Sequence, residues 1–353
     1  MTASRKLKFL VIRRDNIGDL VCTTPLIAAL RSHFPDAEIC ALVNSYNVAV
    51  LENNPDIDTL HAYTKAKHRS SNQSIARVYW ERLKMFAGLR RKRFDYAILA
   101  GAPFLPRALK LAQLIKPRHI VGFIEPGKSG AQHIDIAVPY GPPHPLHEAE
   151  DIFRLLAPLD IHGQPPQARV FACPAEVRGA KSLLEAQAWP PASRLIGIHI
   201  SARKPSQRWP AENFAALIRQ LHRTQAASFM LFWSPGESDN PLHPGDDAKA
   251  EAIMKALPGV SILAYPTREL GQLIGGLSIC DAIICSDGGA MHLAAGLGKP
   301  ILCFFGKSDA TRWHPWGGPH VLLQPPSLDV KDISVAEALS GFGHLLEKNI
   351  LSG

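Results

Sequence analysis

Three short segments hold the residue types that chemistry needs, each directly after an apolar run. The first is Arg13-Arg14-Asp15-Asn16-Ile17-Gly18-Asp19-Leu20. Gly18 permits a tight turn, and Asp19 stands at the entry to a helical stretch. A carboxylate there either caps the helix or is exposed as a general base. The second is Ser201-Ala202-Arg203-Lys204-Pro205-Ser206-Gln207-Arg208-Trp209-Pro210. Hydroxyls, three cations and a helix start marked by Pro210 suit an anion such as a diphosphate; the alternative is a solvated basic loop. Trp209 beside Pro210 reads as packing rather than ligand stacking. The third is Ser286-Asp287-Gly288-Gly289-Ala290-Met291-His292. Its two glycines let a ligand approach the backbone, and the amides of Gly288, Gly289 and Ala290 at a helix start suit phosphate. Asp287 would repel a bare phosphate, which leaves it to cap the helix or order the loop. His292, in the first turn, is either structural or part of the ligand-facing end.

These segments need strands and helices to hold them. Strand-sized apolar runs occur at 7–12, 38–43, 94–100 and 119–122, with helical spacing at 24–33 and 74–89. A second cycle places strands at 195–200, 228–233, 260–263, 282–286 and 300–305, and helices at 210–223, 248–257, 270–277 and 289–296. Strands alternating with helices predict parallel sheets covered on both faces. The pattern occurs twice, so the expected fold is α/β with two doubly wound, Rossmann-like domains. In such sheets ligands bind beyond the carboxyl ends of the strands, where all three segments lie. The expected domains are 1–165 and 174–330, separated by a linker at Gln164-Pro165-Pro166. A last helix within 331–353 can pack on either domain, including back on the N-terminal one. No sequence repeat or low-complexity tract is visible.

Composition narrows the class. The chain has 353 residues, 46% apolar and 20% charged, as expected of a soluble globular protein rather than a disordered or fibrous one. No apolar run approaches the roughly 20 residues that span a bilayer, and the N-terminal one is too short for a secretory signal. Six cysteines are scattered without a CxxC pair, so they read as buried reduced thiols of a cytoplasmic protein rather than zinc ligands. A single glycine after the first strand is no GxGxxG fingerprint, which argues against a nicotinamide enzyme. Net charge is +8, and all of the excess lies in 1–172, with 23 basic and 15 acidic residues; 173–353 holds 16 of each.

The sequence resembles the ADP-heptose:lipopolysaccharide heptosyltransferases of glycosyltransferase family 9 over most of its length. Ile17-Gly18-Asp19-Leu20 with Thr24-Pro25-Leu26 carries the resemblance in the first half, and Arg208-Trp209-Pro210-Ala211-Glu212-Asn213-Phe214 in the second. The most specific match is Asp287-Gly288-Gly289-Ala290-Met291-His292-Leu293-Ala294-Ala295, followed by Gly298-Lys299-Pro300, Phe305-Gly306 and Trp313-His314-Pro315-Trp316. The resemblance implies the GT-B architecture, two Rossmann-like domains facing across a cleft. It implies an inverting transfer of heptose from ADP-heptose to a lipopolysaccharide core acceptor, with no cofactor beyond the nucleotide sugar. No metal is needed if helix ends and cations carry the diphosphate's charge, and no Asp-x-Asp pair is expected. The resemblance makes Asp19 the base, beside Gly18. It puts the donor's diphosphate on Ser201, Arg203, Lys204, Gln207 and Arg208, and the diphosphate and sugar near Asp287, Gly288, Gly289, Ala290, Met291 and His292. Glu237, after the middle strand of the second domain, is the candidate for the ribose. The family commonly has Lys where this chain has neutral Gln207, so Lys204 or Arg203 takes over that phosphate, or the donor differs.

The basic first half then fits an anionic acceptor at a membrane surface. Residues 65–93 hold Lys65, Lys67, Arg69, Arg77, Arg82, Lys84, Arg90, Arg91, Lys92 and Arg93 against one acid, Glu81. A solvated face is the plainer account of such a run. Tyr79, Trp80 and Phe86 within it suit shallow insertion at an anionic bilayer. The expected partners are therefore a nucleotide sugar, an anionic lipopolysaccharide precursor and the inner face of the inner membrane, with no nucleic acid. The rivals are a GT-B enzyme with another nucleotide sugar and a non-enzymatic polyanion binder, which would leave the glycine loops unexplained.

Overall fold

The computed structural model describes residues 5–63, 75–142, 144–187, 194–239 and 244–351, with side chains described outside 75–79 and 349–351. The chain divides into two compact units, Met1–Ala168 and Arg169–Gly353. The first runs β1 (Lys8–Ile12), α1 (Ile17–Val21), α2 (Thr24–His33), β2 (Glu38–Asn44), β3 (Thr59–Tyr63), α3 (Ile75–Lys92), β4 (Tyr96–Leu99), α4 (Pro106–Ile115), β5 (His119–Ile124), β6 (Ile136–Pro139) and α5 (Glu148–Phe153). The second runs α6 (Pro174–Ala186), β7 (Leu195–His199), α7 (Ala211–Gln225), β8 (Ser228–Trp233), α8 (Asp247–Lys255), β9 (Ile262–Pro266), α9 (Leu270–Ile279), β10 (Ala282–Ser286), α10 (Gly289–Gly296), β11 (Ile301–Phe304), α11 (Ala310–Trp313), β12 (His320–Leu323) and α12 (Val335–Leu351).

Each unit holds one six-stranded sheet whose strands all pair in parallel. The orders are β3-β2-β1-β4-β5-β6 and β12-β11-β10-β7-β8-β9. Counted from β7, the second is the first again: strands 3-2-1-4-5-6, the Rossmann order. Two such units in one chain make the fold α/β of the GT-B class. Burial explains the strand sequences. Phe9, Leu10, Val11 and Ile12 of β1 are all buried, as is every residue of β8, because helices cover both faces. On α7 the buried positions Phe214, Leu217, Ile218 and Leu221 recur at helical spacing and form one core-facing stripe.

The central strands fall where the apolar runs predict, and β8, β10 and α10 begin and end as expected. Three strands without a clear sequence signal, β3, β6 and β12, are all edge strands. An edge strand need not be apolar on both faces, and every residue of β12 stays half-buried. The final helix belongs to the second unit. Ala338, Phe342 and Leu345 of α12 lie in its core with Trp209, Phe214 and Phe304, one of the two placements that the sequence left open. No disulfide joins the six cysteines, five of which are buried. Burial raises the thiols of Cys280, Cys285 and Cys303 well above their ordinary range. Among the described residues no helix is long and apolar enough to cross a membrane.

Candidate active site

In each sheet the strand order reverses between two neighbours, β1 and β4 in the first unit, β7 and β10 in the second. The crevice at such a switch point is where doubly wound folds bind ligands. The three chemistry-bearing loops leave β1, β7 and β10.

At the first switch point the organiser is Arg13. Its side chain is only 2% exposed, and its Nη1 donates to the Ala100 carbonyl beyond β4 at 2.6 Å, spanning the crevice. Nη2 donates both to Asp19 Oδ1 at 2.7 Å and to Glu148 Oε1 at 2.8 Å. Nε lies 3.1 Å from Asp15 Oδ2, an ion-pair contact without a formed hydrogen bond. Burial works against the Arg13 charge, but Glu148, then Asp19 and Asp15, outweigh it and hold the guanidinium above its ordinary range. A side chain at 101 would collide with this arrangement, because its Cβ would sit 2.9 Å from Arg13 Nη1, so Gly101 is needed there.

Asp19 makes the helix-start contact, one of the two roles the sequence left open, and also binds Arg13. Its Oδ2 reaches back to the Asn16 backbone N–H at 2.9 Å and to Asn16 Nδ2 at 3.0 Å, tying down the start of α1, while Oδ1 holds Arg13. The loop itself is fixed from β2. Buried Asn44 donates to the Arg14 carbonyl, and buried Asn47 donates to those of Asp15 at 3.1 Å and Asn16 at 3.3 Å. Arg14 donates to the Tyr63 hydroxyl and lies over its ring, so this cation is committed within the fold.

The second switch point is joined differently. Gln207 is buried, and its Nε2 donates to Asp287 Oδ2 and, at 2.9 Å, to Ser308 Oγ. Gln207 thus links the β7 loop to the β10 loop, and Asp287 orders the loops rather than capping α10. Gly288, the N-cap of α10, has no side chain with which to cap it, and the first-turn amides beside Gly288 and Gly289 suit an anionic ligand. Gly306 lets the chain after β11 press on the β7 loop, since a Cβ there would sit 2.1 Å from the Ser206 carbonyl oxygen. Trp209 is packing, as read: it is buried against Phe214 and Phe304 and donates to the Ile333 carbonyl at 2.9 Å.

The three cations of the β7 loop are not equivalent. Arg203 and Lys204 are exposed. Arg208 is locked to the buried carboxylate of Asp246 and to the Ala202 carbonyl at 3.0 Å. Ser201 Oγ accepts the Ser234 N–H at 2.9 Å, joining the β7 and β8 loops. Glu237 is exposed on that second loop, which Asp247 orders by accepting Trp233 Nε1 at 2.6 Å and the Gly236 N–H at 2.9 Å. Met291 and His292 are buried, the His ring set edge-on to Trp313 with centroids 6.1 Å apart.

Sequence reasoning missed Glu148, Asn44 and Asn47 in the first unit and Asp246, Lys249 and His199 in the second. Lys249 donates to the Ile200 carbonyl at 3.0 Å, and burial pushes its ammonium down to about 8 against the pull of Asp246. Burial likewise brings His199 down to about 4, with the Lys249 charge adding to it. Glu148 carried no usable signal, since it stands 135 positions from its partner Arg13. An Asp-x-Asp pair does occur at Asp56 and Asp58, but Asp58 is taken up by Arg31 at 2.6 Å and the Ile39 N–H at 2.7 Å. Of the basic run, Lys65, Lys67 and Arg69 lie outside the described residues. Arg90, Arg91 and Arg93 are exposed, whereas Lys92 is half-buried in an ion pair with Glu38 at 2.5 Å. Phe86 packs on the core, and among the described side chains of α3 the large exposed apolar ones are Trp80 and Leu83.

Comparison with known proteins agrees with this architecture. Residues 82–325 match the glycosyltransferase family 9 (heptosyltransferase) model, a span that includes both loops of the second unit. Lipopolysaccharide heptosyltransferase 3 of Escherichia coli K12 is 26% identical over 313 residues, 85% of this chain and 82% of that one. A glycosyl transferase family 9 structure from Veillonella parvula superposes with a TM-score of 0.81 at 20% identity, covering 99% of both chains. The E. coli ADP-heptose lps heptosyltransferase II structure does so with a TM-score of 0.76 at 19% identity, covering 97% of this chain and 99% of that one. The family match spans more than half of the sequence, so the chain belongs to glycosyltransferase family 9 and is a glycosyltransferase of the heptosyltransferase type.

Proposed function

We propose that this enzyme transfers heptose from ADP-heptose to a lipopolysaccharide core acceptor, inverting the anomeric carbon and using no metal. The observation that carries this reading is that each unit puts one part of the chemistry at its own switch point: Asp19 held by a buried guanidinium in the first, and the glycine start of α10 in the second. The E. coli relative named a lipopolysaccharide heptosyltransferase, and the similar structure named for ADP-heptose, support the choice of substrates. In this mechanism the acceptor hydroxyl attacks the anomeric carbon from the face opposite ADP. Asp19 takes the hydroxyl proton as the new carbon–oxygen bond forms and the bond to the diphosphate breaks. Negative charge growing on the leaving diphosphate meets the amides of Gly288, Gly289 and Ala290 and the exposed cations Arg203 and Lys204. Gln207 and Arg208 act one step back, holding Asp287 and Asp246 so that the loops keep their shape. Glu237 takes the ribose hydroxyls from the β8 loop.

The exposed cations Arg90, Arg91 and Arg93, with Trp80 and Leu83 on α3, serve an anionic acceptor at a membrane surface. Binding to anionic vesicles should weaken with added salt, and indifference to lipid charge would remove this part of the reading. A thermal-shift screen of nucleotide sugars followed by a transfer assay tests the donor. ADP-heptose should stabilise the protein most and support turnover. A different nucleotide sugar doing both would replace it, and turnover lost on chelation and restored by Mg²⁺ would end the metal-free reading.

A further inference from the structure

Glu148 belongs to none of the three loops, yet it is among the most completely buried carboxylates of the first unit, with its side chain 2% exposed. A buried charge without a task is expensive, so its partner matters. That partner is Arg13 Nη2, whose two hydrogens go one each to Glu148 and Asp19. We infer that Glu148 is a positioning residue for the transfer reaction, aiming Asp19 through Arg13 and sharing the guanidinium's charge so that Asp19 remains a usable base. This deepens the proposed function and rests on Asp19 being the base.

The geometry carries both halves of the inference. Arg13 alone beside Asp19 would form the bidentate fork that guanidinium and carboxylate prefer. Here Nη1 is taken by the Ala100 carbonyl and the second Nη2 hydrogen by Glu148, so Asp19 receives a single bond on Oδ1. Its other oxygen is held by Asn16, so the carboxylate is fixed at both ends, and Oδ1 keeps a lone pair for an incoming hydroxyl. The side chain of Asp19 is 15% exposed, enough for a substrate to reach it.

The charge argument follows from the same contacts. Among the described residues, the charged groups gathered at Arg13 beside Asp19 include Asp15 on the same loop and Glu148 from α5. From just beyond β4 the Ala100 carbonyl accepts from Arg13 Nη1. His147, beside Glu148, turns its Nδ1 to accept the Ala149 N–H at 3.1 Å, which leaves any proton of the neutral ring on Nε2. Asp15, Asp19 and Glu148 thus all lie against the one Arg13 guanidinium. Without the Glu148 charge, Asp19 would face a far less compensated guanidinium 2.7 Å away and hold a substrate proton less well.

The experiment is the pH dependence of transfer by Glu148→Gln, Glu148→Asp and Asp19→Asn in the full-length enzyme, with thermal melting of each. Glu148→Gln should lower kcat by about tenfold or more and move the acid limb of kcat/KM down by roughly one pH unit, with the donor KM unchanged. Glu148→Asp keeps the charge and loses reach, so its kcat falls while its acid limb stays with the wild type. If Glu148→Gln instead loses activity equally at every pH, in step with its melting temperature, Glu148 is merely structural and the inference is overturned. Asp19→Asn separates the two readings. An inactive Asp19→Asn with an unshifted Glu148→Gln profile removes only the role of Glu148, whereas near-normal turnover by Asp19→Asn removes the base and this inference with it.

Discussion

Behind β1 a buried guanidinium is ringed by three carboxylates, whereas behind β7 and β10 the loops are joined by a neutral amide and their cations are either exposed or already paired. The strand order around the two switch points is the same. One topology therefore supports opposite electrostatic designs, because it fixes where loops emerge but not which side chains fill them. The first design suits holding a carboxylate that must accept a proton. The second suits receiving an anion, since an amide link fixes Asp287 without setting a further cation beside it.

Substitutions at the two sites should separate along this line. The largest effect is expected for Asp19→Asn, which should reduce turnover by about 10²- to 10⁴-fold while ADP still binds, as read by single-turnover assay and calorimetry. Near-normal turnover would take the chemistry away from the first switch point. Arg13→Met should lower turnover too, because Asp19 loses its holder, and should also act on stability. It leaves Glu148 and the Ala100 carbonyl buried without their donor and should cost about 3–5 kcal/mol in urea unfolding. A cost under about 1 kcal/mol would mean that the cluster does not organise the first unit.

The second unit should show its own weakness in acid. His199 falls to about 4 in the folded state against an ordinary value of 6.5. The unfolded chain therefore binds more protons between those values, and stability is lost as pH falls from about 6.5 towards 4. The full shift corresponds to about 3 kcal/mol, less to the extent that water reaches the half-buried ring. His199→Gln should flatten that part of the stability profile, and an unchanged slope would assign the acid sensitivity elsewhere. Gln207→Ala should have the smallest effect. It frees Asp287 and should raise the donor KM by about tenfold, near 1.4 kcal/mol, with little change in kcat. A fall in kcat with KM unchanged would put Gln207 in the chemistry rather than in holding the loops.

How much of this was readable beforehand differs between fold and site. Central strands announce themselves because burial on both faces demands unbroken apolar runs, as in Phe9–Ile12 and 228–233. The edge strands β3, β6 and β12 do not, because one side of the ladder is open and His61, Pro139 and His320 are tolerated there. The last helix offered an apolar stripe but no address, and only packing showed that Phe342 belongs with Trp209 and Phe304. Gln207 read as a missing charge, and its hydrogen bond to Asp287, 80 positions away, made it a link between two loops.

By itself the sequence determined the two α/β cycles, the loops that carry the chemistry and the resemblance that named the family. Those properties depend on neighbours within a few residues: apolar periodicity, a glycine at a turn, a motif read in order. The tertiary structure decided which charges meet. Arg13 and Glu148 come together across 135 positions, and in a buried site of low dielectric such a contact outweighs every local preference around it. Partners of that kind leave no periodic trace, because either side chain alone is compatible with many folds and only their burial in one place makes them a pair.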